Sequence, residues 1–247
     1  AVVPGLGHDA LKTSAGGEKV LVPWEGLHGL GGAARIVGTS STAHVTETRS
    51  MKLHADLSRP AIVDSTSLEW VPSPSPGVER RMLERDGDEV ARATSIVRYA
   101  PGSEFPTHRH GGGEEFMVPV GSSHAPRTAP GCTIFVKLRQ MDPDDQTQVA
   151  IDTKAGDWVA GDMPGLFRMP LYEFGAERVW LTKMGAGCAA APHSHPGGEE
   201  VLVLEGSVED ENGIHGKGTW FRLPPGSFHS PRTGDGCLLW VKQGHLR

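Results

Sequence analysis

From Ala61 to the C-terminus, brief apolar runs alternate with clusters of glycine, proline, aspartate and serine. That punctuation suits short strands joined by turns better than long helices, and it predicts an all-β chain. Residues 78–83 and 94–99 read as strands flanking Arg85-Asp86-Gly87-Asp88, where Asp-Gly is a hairpin signal. Trp70 to Gly77 carries three prolines and reads as a stiff extended stretch ending in a turn. Residues 142–165 are polar and read as a link, with one strand expected near 148–152. Further on, residues 202–206, a polar turn over 210–213 and residues 218–223 read as strand, turn, strand. Residues 1–50 have a different texture, rich in Gly, Ala, Ser and Thr, with Val20-Leu21-Val22 the only strand-like run. Met51 resembles a natural start, so the preceding segment is expected to be a loosely ordered extension, with His8, His28 and His44 solvated.

The chain repeats itself. Pro119-Val120-Gly121-Ser122-Ser123-His124-Ala125-Pro126-Arg127-Thr128 matches Pro224-Pro225-Gly226-Ser227-Phe228-His229-Ser230-Pro231-Arg232-Thr233. Gly131 to Lys137 matches Gly236 to Lys242, and His108 to Glu115 matches His193 to Glu200. The offset changes along the chain: His193 lies 85 positions after His108, whereas His229 lies 105 after His124. The first repeat is therefore 20 residues shorter between Glu114 and His124, about two strands' worth. Three explanations stay open: a degenerate repeat, strands supplied by a partner chain, or a stretch missing between Met117 and Val118. Intact flanks favour the last, or a local deletion. The expected division is an extension over 1–50, a first domain over 51–150 and a second over 151–247.

Each repeat carries four metal-ligand side chains in the same order. They are His108, His110, Glu114 and His124 in the first, and His193, His195, Glu199 and His229 in the second. On a strand, residues i and i+2 share a face, so each His-x-His can aim two imidazoles at one point. The glycines that follow allow a tight turn that returns the carboxylate. Pro-Gly-Ser then presents the last imidazole from another strand. Three imidazoles and a carboxylate suit a divalent Fe, Zn, Mn, Ni or Cu ion, and spacing does not choose among them. Glu115 and Glu200 point the other way by alternation and are expected to be solvated or to support the ligands. Arg127 and Arg232 are expected in structural ion pairs, and Phe105, Phe116, Trp180, Trp220 and Trp240 in the core.

Composition narrows the partners. A net charge of −6 leaves no basic footprint, which argues against nucleic acid and anionic membrane surfaces. Cys132, Cys188 and Cys237 make no even framework and read as small buried hydrophobes in a reducing cytoplasm. No apolar run reaches membrane-spanning length, and cytoplasmic residence is expected by default.

Pro101-Gly102 ahead of His-x-His-Gly-Gly-Gly-Glu-Glu, Pro-x-Gly-Ser-x-His-x-Pro, and Gly-Cys before a strand ending in Val-Lys together resemble the ChrR-like cupins. The resemblance covers Met51 to the C-terminus in two copies. It implies two tandem cupin β-barrels of jelly-roll type, the first shortened, with the eight residues above as metal ligands. Zinc-containing anti-sigma modules and iron-dependent dioxygenases that cleave diketones or hydroxyacetophenones belong to the same group. The separate N-terminal zinc domain of the anti-sigma proteins has no match here, since residues 1–60 contain no cysteine. The leading expectation is a non-haem iron dioxygenase-like enzyme acting on a small carbonyl or enol compound, with iron or zinc as the metal. Substrate would chelate through two oxygens, and Glu199 would stay bound or act as a base. The alternatives are a non-enzymatic zinc sensor or regulatory cupin, and a degenerate structural cupin. Pairing through edge strands, common among cupins, suggests a homodimer.

Overall fold

Along the strand Cys237–Gln243, every residue but the last is buried, because the strand is covered on both faces. Cys237, Leu239 and Val241 face one apolar cluster, which also holds Val201, Val203, Phe221 and Leu223. Leu238 and Trp240 face another, with Leu202, Leu204 and Trp220. The period-two alternation of a strand thus separates an inner core from an outer one. The same division recurs in Cys132–Leu138, whose Ile134 and Val136 pack inward with Val78 and Tyr99.

The computed structural model describes residues 50–109, 111, 113–115 and 123–246. The described part is all-β, with antiparallel pairing throughout and one short 3-10 turn at Ser65–Ser67. The first repeat builds a sheet in the order Lys52–Leu53, Val78–Asp86, Arg92–Tyr99, Cys132–Leu138, Glu114–Glu115, with Val71–Pro72 also on Val78–Asp86. The second builds Val159–Ala160, Leu166–Phe174, Glu177–Met184, Cys237–Gln243, Glu199–Asp210, Thr219–Leu223. Ala61–Asp64 completes that second sheet by pairing with Thr219–Leu223, so a strand from the N-terminal side of the chain closes the C-terminal sheet.

The duplication read from the motifs is structural. Tyr99 pairs with Cys132 as Met184 pairs with Cys237. Register shifts interrupt both leading hairpins, between Met82 and Glu84 and between Pro170 and Tyr172. Glu104 bridges Arg127 as Ala189 bridges Arg232. The repeats part where the offset changes. Glu199–Asp210 runs for twelve residues and turns into Gly213–Gly216, then Thr219–Leu223. Glu114–Glu115 has two residues, and Met117 and Val118, together with residues 1–49 and Phe116, lie outside the described residues.

The hairpin forms across Asp86 and Arg92, with residues 87–91 as its loop. The strand expected near 148–152 is absent. Those residues are irregular; Val149 is exposed, while Ile151 packs on the outer core without a paired neighbour. Trp220 and Trp240 are buried, and Trp180 and Phe105 are partly so, against the cores. Among the described residues, no helix is long and apolar enough to cross a membrane.

The outer faces of the two sheets pack on each other. Leu83 and Ile96 from the first repeat join Leu171, Leu181 and Trp240 from the second in one cluster. Buried charge accompanies this apolar seam. Lys137 Nζ reaches Glu200 Oε2 at 2.5 Å, with neither side chain exposed. Glu84 receives Arg222 at 3.0 Å and Arg92 at 2.7 Å. Arg222 also donates to the carbonyls of His54 and Asp56, which ties the loop after the first strand to the second sheet.

Candidate metal centre

The short strand His193–Ser194 pairs with Phe228–His229, and His193 faces His229 in that register. Gly198, at φ +68°, makes the turn that the His-x-His-Pro-Gly-Gly-Glu motif requires. A Cβ there would also press on the Leu223 carbonyl oxygen at 3.0 Å. The turn delivers Glu199 to the first position of its long strand, on the same face as Val201 and Val203.

Three imidazoles converge. His229 Nε2 lies 3.1 Å from His193 Nε2 and 3.3 Å from His195 Nε2. Glu199 brings one carboxylate oxygen to 3.4 Å from His195 Nε2 and the other to 3.4 Å from His229 Nε2. His193 Nδ1 sits 2.8 Å from the Ala191 carbonyl oxygen. A carbonyl only accepts, so Nδ1 carries the proton and Nε2 presents a lone pair to the centre. The other two Nε2 atoms point at the same spot. Glu199 Oε2 is buried without a hydrogen-bond partner among the described residues. Converging lone pairs beside a buried, unpaired carboxylate oxygen are what a divalent cation would satisfy, so these residues fit a metal of the imidazole-and-carboxylate class.

The electrostatics agree with that donor set. Burial pushes the His195 imidazole down, against the pull of Glu199, which favours the neutral ligand form. Burial also acts downward on His229, but Asp210 and Glu199 outweigh it and raise this imidazole. Asp210 Oδ2 stands 3.8 Å behind His229 Nδ1, and His215 Nε2 lies 3.0 Å from Asp210 Oδ1. Although burial opposes its charge, the contacts of Asp210 with His215, His229 and Asn212 hold its carboxyl well below the usual range. Gln243 donates to Glu199 Oε1 at 2.6 Å. Asp210, His215 and Gln243 escaped the motif reading, because none lies inside a recognisable spacing. Gln243 alone had a signal: it continues the inward alternation of Cys237, Leu239 and Val241.

The first repeat assembles the corresponding group in part. His108 pairs with His124 in register, and His108 Nδ1 lies 2.8 Å from the Pro106 carbonyl oxygen, as His193 does from Ala191. Glu114 Oε2 is 3.0 Å from His124 Nε2, both side chains being buried. His108, Glu114 and His124 bring ligand atoms within 4.8 Å of one another, as do His193, His195 and His229. His110 lies outside the described residues.

Glu200 corrects one expectation. Alternation points it away from Glu199, but that direction leads into the seam between the sheets, where the side chain is fully buried. It meets Lys137, His245 at 3.1 Å and Trp220 Nε1 at 3.4 Å. Burial opposes its charge, yet Lys137 and His245 outweigh burial and hold its carboxyl well below the ordinary value. Arg232 pairs with Glu209 at 2.5 Å, a structural contact at the surface.

The family model of the ChrR cupin-like domain matches residues 58–122 and 146–247. Comparison with curated proteins gives no match. Among solved structures, a candidate dioxygenase from Nostoc punctiforme is similar at a TM-score of 0.56 and 16% identity, over 76% of this chain and 84% of that one. AerE from Microcystis aeruginosa is similar at 0.50 and 14%, over 71% and 96%. The anti-sigma protein ChrR of Rhodobacter sphaeroides, in complex with SigE, overlaps at 0.34 and 23%, over 37% and 50%.

Proposed function

The chain belongs to the ChrR cupin-like family, and on that footing we propose that it is a metal-dependent enzyme, a non-haem iron dioxygenase-like cupin acting on a small carbonyl or enol compound. The observation that carries this reading is the meeting of His193, His195 and His229 Nε2 atoms beside Glu199, at separations of 3.1 to 3.4 Å. Iron or zinc is the metal proposed, and Mn, Ni or Cu also suit these ligand types. The fold neighbour in Nostoc punctiforme suggests the reaction class by analogy.

When bound, the ion supplies Lewis-acid polarisation of a carbonyl or enol oxygen and redox chemistry toward O2. The chain's own groups do the rest. The three imidazoles would hold the ion, and Glu199 shares its sheet face with Val201 and Val203, which belong to the buried apolar cluster of the second repeat. Glu199 would stay on the ion, or release Oε2 to take a proton from an acidic C–H of a bound diketone. In this reaction class one C–C bond breaks and both atoms of O2 end in carbonyl-containing products, so no outside reductant is consumed.

The test is O2 uptake by protein reconstituted anaerobically with Fe(II), across a panel of diketones and hydroxyketones. Uptake matched to substrate loss supports the reading. Stoichiometric zinc in protein purified without added metal, with no O2 uptake after iron reconstitution, contradicts it and favours a zinc-holding regulatory module.

A further inference from the structure

The two ligand groups occupy matched positions, but what stands behind their carboxylates differs. In the second repeat Glu199 pairs across the sheet with Gln243, whose Nε2 donates to Glu199 Oε1 at 2.6 Å. In the first repeat Glu114 pairs across the sheet with Leu138. Leu138 is the counterpart of Gln243, one residue beyond the matched Val136-Lys137 and Val241-Lys242. A leucine side chain offers no hydrogen bond, and Leu138 packs with the inner core of its own sheet.

Both carboxylates bring a buried Oε2 toward an imidazole, Glu114 to 3.0 Å from His124 Nε2 and Glu199 to 3.4 Å from His229 Nε2. Glu199 is tied at Oε1 by Gln243. A donor fixed on one carboxylate oxygen sets the orientation of the other, so less freedom is lost when that oxygen takes a cation. Gln243 Nε2 also lies 3.3 Å from His195 Nε2, so one side chain touches two of the four proposed ligands. In the second repeat Asp210 and His215 also stand behind His229.

We propose that Gln243 is a positioning residue for Glu199, and that it helps make the two centres unequal, the second holding a divalent metal more tightly than the first. This rests on the metal reading of the site given above. It adds that one fold duplicated in one chain carries a strong centre and a weak one, to which the glutamine-for-leucine difference at the matched sheet position contributes.

Cobalt(II) titrated into the metal-free full chain, with chelator competition and the visible d–d bands as readouts, separates these claims. Wild type is expected to bind in two steps, with the tighter step abolished in His193→Ala. Gln243→Leu, which copies the first repeat, and Gln243→Met, which keeps the side chain's length, are each expected to weaken the tighter step about ten-fold or more and to shift its bands. Leu138→Gln is expected to tighten the weaker step. Unchanged affinity and unchanged bands in both Gln243 variants, with wild type still binding cobalt, overturn the role of Gln243 alone. No cobalt uptake by wild type overturns the metal reading and this inference with it.

Discussion

Phe135 and Trp240 occupy matched places in the two repeats and meet edge to face, their ring centroids 4.9 Å apart at 67°. The contact lies in the seam where the outer faces of both sheets bury each other. Truncation of Trp240 to alanine removes the larger partner from a site that is 2% exposed. A loss of about 3–5 kcal/mol in unfolding free energy is expected by urea titration. Because both sheets share this core, one cooperative transition is expected by fluorescence and circular dichroism alike.

Lys137 and Glu200 make a fully buried pair across the same seam, 2.5 Å apart. Removing Lys137 takes the nearest compensating charge from the buried Glu200 carboxylate, which keeps His245 and Trp220 Nε1 beside it. Lys137→Met is therefore expected to cost about 3–5 kcal/mol. Changing both members to apolar residues, as Lys137→Met with Glu200→Leu, is expected to restore much of that loss. Urea unfolding of the single and double variants checks the pair.

The same pair sets an acid limit. Glu200 is held well below its ordinary value, although burial alone would raise it, because Lys137 and His245 stabilise its charge. As pH falls below about 4.5, the unfolded chain takes up this proton before the folded chain does. The contribution of Glu200 is thus complete above that pH and is lost as pH falls toward the folded value. The stability difference between wild type and Glu200→Gln is expected to shrink as pH falls below about 4.5. A difference that grows below that pH contradicts the assignment.

Burial raises the Cys132 and Cys237 thiols to about 11, and it raises Cys188 as well. At pH 8 only about one thiol in a thousand at Cys132 and Cys237 is thiolate. Both are expected to react slowly with a disulfide reagent in the native protein, and all three cysteines rapidly in guanidinium. Fast native labelling of Cys237 would contradict the packing of the inner core.

Strand alternation and self-comparison made much of this legible in advance. The repeat, the hairpin around Gly87 and the Glu199 turn all followed from spacing. Glu200 shows where such reasoning stops. Its direction was readable, but that direction led to the first repeat and not to water, and covering one sheet with another is a tertiary fact. Asp210 was hidden for a similar reason. It lies in a polar turn whose composition looked solvated, yet the turn folds back behind His229. Ala61–Asp64 could not be assigned to the second sheet from local pattern, since pairing with Thr219–Leu223 joins residues far apart in sequence.

The central claim is that His193, His195, His229 and Glu199 form a metal centre. A metal-edge X-ray absorption spectrum of protein purified without added metal, compared with that of His193→Ala, tests it most directly. The expected result is a first shell of nitrogen and oxygen at about 2.0–2.2 Å with imidazole scattering and no sulfur, reduced in the variant. A protein that holds no metal after reconstitution, or a first shell unchanged in His193→Ala, would contradict it.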